Sequence, residues 1–205
     1  DPHLLPYAER QAPRYTSYPS APHFSGDVDG ALYQTWLSAL PDTASLSLYL
    51  HIPYCQQLCW YCGCNTYLTR GRDIPDFVTT LMTEIDLVAS ALGSHNVGEI
   101  HWGGGTPNVL SAEEFLRVQH HLAFWFDFAP GLSHAIELDP RHVTRALAAT
   151  YAQAGVNRVS LGVQDLNLHV QKAMGRVQPY AQVAEAVAVL RESGLDDLEI
   201  LLRLG

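Results

Sequence analysis

Apolar positions along this chain switch between two spacings. Leu46–Ile52 is a short apolar run compatible with a strand. Phe77, Val78, Leu81, Met82, Ile85, Val88, Ala89 and Leu92 then recur three and four apart, the spacing of one helix face. Pro75 suits the first turn of that helix and Gly93 its C-terminal cap. Val97–Trp102 reads as a second strand and runs into Gly103-Gly104-Gly105-Thr106-Pro107. Ser111-Ala112-Glu113-Glu114 has the form of a capping box, in which hydroxyl and carboxylate each satisfy a free backbone N–H, and predicts a helix to about Phe126. Ala135–Leu138 is a third strand, ending at Asp139-Pro140. His142–Ala154 is a helix closed by Gly155, and Val156–Val163 a fourth strand. Leu166–Met174 predicts a short helix, Ala181–Glu192 a longer one, and Asp197–Leu204 a fifth strand.

Strand–helix repetition with glycine at successive helix ends means parallel βα units. The fold class is α/β. A barrel or part-barrel fits better than a dinucleotide-binding sheet, because no Gly-x-Gly-x-x-Gly follows the first strand and polar motifs end several strands. Residues 1–45, rich in Pro, Tyr, Ser and His, read as an irregular N-terminal segment with one short helix around Ala31–Leu40. Residues 46–205 read as the part-barrel, truncated after about five strands, with an exposed strand edge.

The length of 205 residues suits one domain or a large piece of one, and 47% hydrophobic residues can fill a core. A formal charge of −9 without a Lys/Arg-rich run disfavours a nucleic-acid partner. No apolar stretch is long enough to cross a bilayer, and the start lacks a signal-peptide pattern. A cytoplasmic, reducing setting is expected, so cysteines read as ligands and not as disulfides.

All four cysteines, Cys55, Cys59, Cys62 and Cys64, fall in one stretch, the first three spaced C-x3-C-x2-C. Three thiolates can hold a cubane iron–sulfur cluster and leave one iron open to another ligand. Structural zinc is the rival, since four sulfurs are present, although Cys62-Gly63-Cys64 is cramped for a closed site. The glycine run lets backbone approach a ligand, or simply makes a tight turn. Glu137, an acid on an apolar strand, either faces a pocket or pairs locally. Tyr49 fits core packing or a ligand contact. Gln164 and Arg176 by themselves read as ordinary surface residues. His51, beside the cysteines, could be a fifth metal ligand; the matching histidine of the family resembled below is not one, so it reads as a hydrogen-bonding support.

With Tyr61 before the third cysteine, the C-x3-C-x2-C loop after a first strand resembles the radical S-adenosylmethionine (SAM) superfamily. A closer resemblance is to the oxygen-independent coproporphyrinogen III oxidases. It is carried by Pro13-Arg14-Tyr15-Thr16-Ser17-Tyr18-Pro19, Ser47-Leu48-Tyr49-Leu50-His51-Ile52-Pro53, the cysteine loop through Asn65, and His101-Trp102-Gly103-Gly104-Gly105-Thr106-Pro107. Ile136-Glu137-Leu138-Asp139-Pro140 and Asn157-Arg158-Val159-Ser160-Leu161-Gly162-Val163-Gln164-Asp165 continue it in the same order.

The resemblance implies a radical SAM part-barrel in which Cys55, Cys59 and Cys62 hold one 4Fe–4S cluster. SAM binds the open iron, in one molecule or two, and is reductively cleaved to a 5′-deoxyadenosyl radical. Tyr49, Gly104 and Glu137 would contact one SAM, and Tyr61, Gly105, Thr106, Gln164 and Arg176 a second. Cys64 would be a non-ligating catalytic cysteine that separates these oxidases from related haem chaperones. Arg14 would meet a carboxylate of the substrate, coproporphyrinogen III, through its planar fork. The implied enzyme is an oxidoreductase of haem biosynthesis. It would convert two propionates to vinyl groups as a monomer, with a separate electron donor and acceptor. The resemblance breaks at the fifth strand, where Leu201 stands in place of an aspartate expected to accept hydrogen bonds from the second SAM. The chain also covers only about half of the family's length, so the last strand and a C-terminal helical domain are expected to be missing.

Overall fold

The computed structural model describes residues 20–202, apart from 70 and 72. The chain divides into two compact units, residues 1–36 and 37–205. In the first, a 3-10 turn at Ala21–His23 is tied by Ser20 Oγ to His23 Nδ1 at 3.0 Å. Helix α1 (Gly30–Ser38), within which the division at Trp36/Leu37 falls, starts where Asp29 Oδ1 accepts the Leu32 N–H at 2.9 Å.

The second unit is a five-stranded parallel sheet. Strand β1 (Leu46–Ile52) is followed by a two-residue parallel pair, β2 (Tyr54–Cys55) and β3 (Tyr67–Leu68), which forms a small separate sheet. Then come α2 (Ile74–Leu92), β4 (Asn96–Gly104), α3 (Ala112–Trp125), β5 (Asp127–Leu138), α4 (Arg145–Gln153), β6 (Arg158–Gln164), α5 (Leu168–Ala173), α6 (Tyr180–Glu192) and β7 (Leu198–Leu202). The main sheet runs β1-β4-β5-β6-β7, each strand parallel to the next. A doubly wound sheet reverses its strand order near the middle. The unbroken order here is that of a barrel wall, as the sequence predicts.

The two faces of that wall differ. Leu50, Ile52, Ile100, Trp102, Ile136, Leu138, Val159 and Leu161 point outward into one apolar core with Ile85, Val118, Tyr151 and Leu190 of the helices. The alternate positions carry Ser47, Tyr49 and His51 on β1, Glu99 and His101 on β4, Glu137 on β5, Ser160 on β6 and Glu199 on β7. A strand's two-residue period places these on the opposite, concave face.

Several boundaries differ from the pattern reading. The helix expected at His142–Ala154 is a 3-10 turn, Pro140–His142, and then α4 from Arg145. Asp139 captures the Arg141 N–H, and Thr144 caps α4 by accepting from Leu147 N, so the chain restarts its helix. Strand β5 begins eight residues before Ala135, because Asn96 and Val97 already pair with Asp127 and Phe128 before a register shift. Nothing in the periodicity marks β2 and β3.

Trp102, Phe115 and Tyr151 form the aromatic centre, with ring centroids 4.6 and 4.9 Å apart along the row. Trp102 Nε1 donates to Nε2 of fully buried His134 at 2.9 Å, which fixes that imidazole as neutral with an accepting Nε2. Burial pushes the His134 pKa down to about 4. The unfolded chain, with an ordinary histidine near 6.5, therefore takes up a proton that the folded chain refuses. Stability from this site is complete above about pH 6.5 and is lost as pH falls toward 4, by roughly 2–3 kcal/mol. Denaturant unfolding across that window should show this loss, and the His134→Gln variant, which keeps an acceptor for Trp102, should show a flatter profile.

Candidate active site

The cysteine loop leaves the C-terminal end of β1, the end at which parallel barrels carry their chemistry. Its base is closed by backbone. Tyr67 N–H donates to Pro53 O at 2.8 Å, Thr69 N–H to Cys55 O at 2.9 Å, and Gly105 N–H to Ile52 O at 2.8 Å. Four further contacts hold its span. Arg141 Nη1 donates to Gln57 Oε1 at 2.6 Å, Trp60 N–H to Met174 O at 3.0 Å, and Cys62 N–H to Cys59 O at 3.1 Å. His51 Nε2 donates to Asn65 O at 2.8 Å. With that proton on Nε2, Nδ1 is free to accept the Tyr49 hydroxyl at 3.1 Å.

All four thiols are free, and their surroundings grade from buried to open. Cys55 is buried, with its sulfur 3.1 Å from Thr106 Oγ1 and 3.3 Å from Thr66 Oγ1. Cys59 is half-buried, 3.7 Å from Arg176 Nη1. Cys62 and Cys64 are exposed. Burial, then Cys62, Glu137 and Cys55, raise the Cys64 pKa, so these three thiols and Glu137 share one electrostatic neighbourhood. Among the described residues no three His, Cys, Asp or Glu side chains converge as metal ligands. The donor set nevertheless fits an iron–sulfur cluster. Three sulfurs lie on one short loop, two hydroxyls are aimed at one of them, and a guanidinium stands at another, the surroundings that steady and tune cluster sulfurs.

Next to the loop, the concave face presents Tyr49, His101 and Glu137 side by side. Tyr49 and His101 stack at 5.7 Å, and His101 Nε2 meets Glu137 Oε1 at 3.1 Å. Tyr49 is 57% exposed and so is not core packing. Its pKa is raised by burial of the hydroxyl, then by Glu137 and Cys64. Glu137 is both paired and open to the concave face, which joins the two alternatives its sequence position offered.

The glycine turn closes this corner by close approach. Gly104 has φ +109°, and a Cβ there would come within 2.8 Å of the His51 ring. A Cβ on Gly105 would lie 2.5 Å from Thr66 Oγ1 and 2.6 Å from Tyr54 O. Thr106 is buried and turns its hydroxyl to Cys55. Opposite, Gln164 is the one described non-glycine residue with positive φ, at 69°. Such backbone is costly and collects at functional sites. Gln164 and Arg176 flank Gly162, whose carbonyl accepts from Arg176 Nη2 at 2.6 Å. Tyr61 reaches the same corner. Burial pushes its pKa up to about 12, with Arg176 opposing and Cys59 and Cys62 adding to the rise.

The residues singled out from sequence thus gather at one end of the sheet: the cysteines with Tyr49, Tyr61, Gly104, Gly105, Thr106 and Glu137, and Gln164 with Arg176. Arg14 lies outside the described residues. Leu201 pairs in register with Gly162, beside the Gln164–Arg176 corner, and offers no acceptor. His101, Thr66, Asp139 and Arg141 also belong to the site, although no role for them is read from the sequence. Asp139 had a signal, an acid just before proline at a strand end; Thr66 had none.

The chain matches the family described as the radical SAM superfamily over residues 49–204. An oxygen-independent coproporphyrinogen III oxidase of Bradyrhizobium diazoefficiens is 44% identical over 201 residues, covering 97% of this chain and 45% of that protein. One from Paracoccus denitrificans is 38% identical over 192 residues, covering 93% and 43%. Among solved structures, the coproporphyrinogen III oxidase HemN of Escherichia coli, described as a radical SAM enzyme, superposes with a TM-score of 0.86 at 34% identity, covering 98% of this chain and 45% of that one. The chain therefore spans less than half the length of these relatives.

The close approach at Gly105 yields a stability prediction. Gly105→Ala should cost about 2–4 kcal/mol, since strand backbone and Thr66 must both move. Gly63→Ala, on the same loop but with nothing within 4 Å, should stay within about 0.5 kcal/mol of the parent. Equilibrium denaturation of both variants checks the contrast.

Proposed function

The chain belongs to the radical SAM superfamily, and from that premise we propose that it is the cofactor-binding part of an oxygen-independent coproporphyrinogen III oxidase. The observation that carries this reading is the single corner where the thiol loop, the glycine turn and the polar concave face meet, in a chain 44% identical to such an oxidase. The reaction is the oxidative decarboxylation of coproporphyrinogen III to protoporphyrinogen IX, an oxidoreductase step of haem biosynthesis.

The cofactors of the superfamily are a 4Fe–4S cluster and SAM, and together, when bound, they supply one-electron chemistry able to remove a hydrogen atom from an unactivated carbon. Cys55, Cys59 and Cys62 would hold the cluster. The Thr66 and Thr106 hydroxyls would then donate to the Cys55 sulfur. Gly104 would offer bare backbone to the amino end of one SAM. Glu137, oriented by His101, would accept from hydroxyls of its ribose, and Tyr49 would line the same wall. Gly105, Thr106, Tyr61, Gln164 and Arg176 would hold a second SAM. Leu201 takes no part in holding it. Cys64, free and close to Glu137, is the catalytic cysteine that does not ligate iron.

Arg14 is assigned to a substrate carboxylate on charge complementarity alone. The enzyme acts as a cytoplasmic monomer with a separate electron donor and acceptor, and without nucleic acid or membrane. Among the described residues no helix is long and apolar enough to cross a membrane.

Anaerobic reconstitution tests the reading. The chain should take up about four irons, absorb broadly in the visible, and cleave SAM to 5′-deoxyadenosine on reduction. Cys55→Ala, Cys59→Ala and Cys62→Ala should each abolish stable iron binding, whereas Cys64→Ser should keep the cluster and lose vinyl formation. A colourless, zinc-loaded protein would overturn the assignment. Stoichiometric haem binding without vinyl product would replace the oxidase by the related haem chaperone.

A further inference from the structure

One carboxylate, just beyond the end of β5, ties together groups from three parts of the chain. Asp139 is 5% exposed. Its oxygens accept Arg141 Nε at 3.0 and 3.2 Å, Arg141 Nη2 at 2.7 Å and the Arg141 backbone N–H at 2.9 Å. The second guanidinium, of Arg176, stands 3.4 Å from Asp139 Oδ1. Asn108 clamps the backbone of Asp139 from the glycine-turn side, donating to its carbonyl at 3.0 Å and accepting from its N–H at 3.1 Å. Burial by itself would raise the Asp139 pKa, and the Arg141 hydrogen bonds and the charges of Arg176 and Arg141 outweigh it, so the carboxyl stays ionised.

Both arginines then reach the cysteine loop. Arg141 extends Nη1 to Gln57 Oε1 at 2.6 Å, between Cys55 and Cys59. Arg176 places Nη1 3.7 Å from Cys59 Sγ. The rest of the Arg176 fork is fixed by Gly162 O at 2.6 Å and Gln178 Oε1 at 3.1 Å. Gln178 is itself buried and bonded to Gln171 and Val163. Neither guanidinium can swing away, as their side chains are only 8% and 10% exposed. Within this group two cations share one anion, so the group carries a net positive charge beside the sulfurs.

We propose that Asp139 is a positioning residue for the cluster loop, fixing Arg141 against Gln57 and Arg176 against Cys59 so that their net positive charge stands beside the cluster and eases its reduction. The proposal rests on the cluster reading above. Reduction adds an electron to the cluster, and a fixed cation in a buried setting stabilises the added charge, whereas a fixed anion opposes it.

The test is a reductive titration of the anaerobically reconstituted chain, followed by the electron paramagnetic resonance signal of the reduced cluster. Asp139→Asn keeps the shape and removes the anion, so the midpoint should move to more positive potential. Arg141→Gln removes a cation, so the midpoint should move to more negative potential. Arg141→Lys keeps the charge but loses the fork, and should hold the parent midpoint while loosening the loop, seen as faster iron loss to a chelator. Should Asp139→Asn fail to fold, the Arg141→Lys and Arg141→Gln pair decides, since only the charge role separates them. Shifts of the same sign in Asp139→Asn and Arg141→Gln, or equal midpoints in Arg141→Lys and Arg141→Gln, overturn the proposal. A parent chain that takes up no iron sinks the cluster reading itself; a parent cluster whose midpoint ignores these charges sinks only the role of Asp139.

Discussion

Tyr49, His101 and Glu137 touch because three adjacent parallel strands keep register through the stretch that carries them. Tyr49 pairs with His101, and Trp102 with Ile136, without a slip between them. Side chains alternate along a strand, so one residue of slip would turn these polar groups into the helix-packed core and bring Leu50 and Ile136 to the concave face. The cost of burying such groups unpaired keeps the register unique. The irregularities that do occur, at Leu46/Ser47, Val97/Glu99 and Gly162/Gln164, lie at the ends of the ladders. The last of them is where Gln164 takes its positive φ.

On this frame the cysteine loop is held without any disulfide. Its base is a backbone pair, and its span is pinned by groups from four strand ends and one helix end. His51 comes from β1, Thr106 follows β4, Arg141 follows β5, and Arg176 and the Met174 carbonyl follow β6 and α5. Successive strands thus each contribute one contact. This is how a singly wound parallel sheet builds a site that no single βα unit could make. The glycine turn serves the same end by absence, because a side chain at Gly105 would displace Thr66 and the start of the loop.

Legibility in the sequence followed the strength of the local signal. The capping box at Ser111 formed as its pattern demands, with Ser111 and Glu114 exchanging hydrogen bonds. Helix α2 covers the run of apolar positions that predicted it. The helix after Asp139 was misread because its apolar spacing continues through Val143, while the capture of Arg141 by Asp139 and the cap at Thr144 delay its start. Strands β2 and β3 escaped because two residues carry no period. At the site, the cysteines were legible from spacing. His51 was rightly read as a hydrogen-bonding support, while the partner of Glu137 could not be named, since His101 lies thirty-six residues away in sequence and one strand over.

The sequence by itself determined the βα alternation, the outward apolar face and the identity of the thiol loop, because each is written in spacings of a few residues that local sterics and hydrophobic burial translate directly. Only the tertiary structure decided which groups meet: that Glu137 faces His101, that Cys55 lies between two threonine hydroxyls, and that Asp139 is shared by two arginines thirty-five positions apart. Those contacts depend on strand order and register, which arise from packing the whole sheet against its helices, and no stretch of a few residues encodes them.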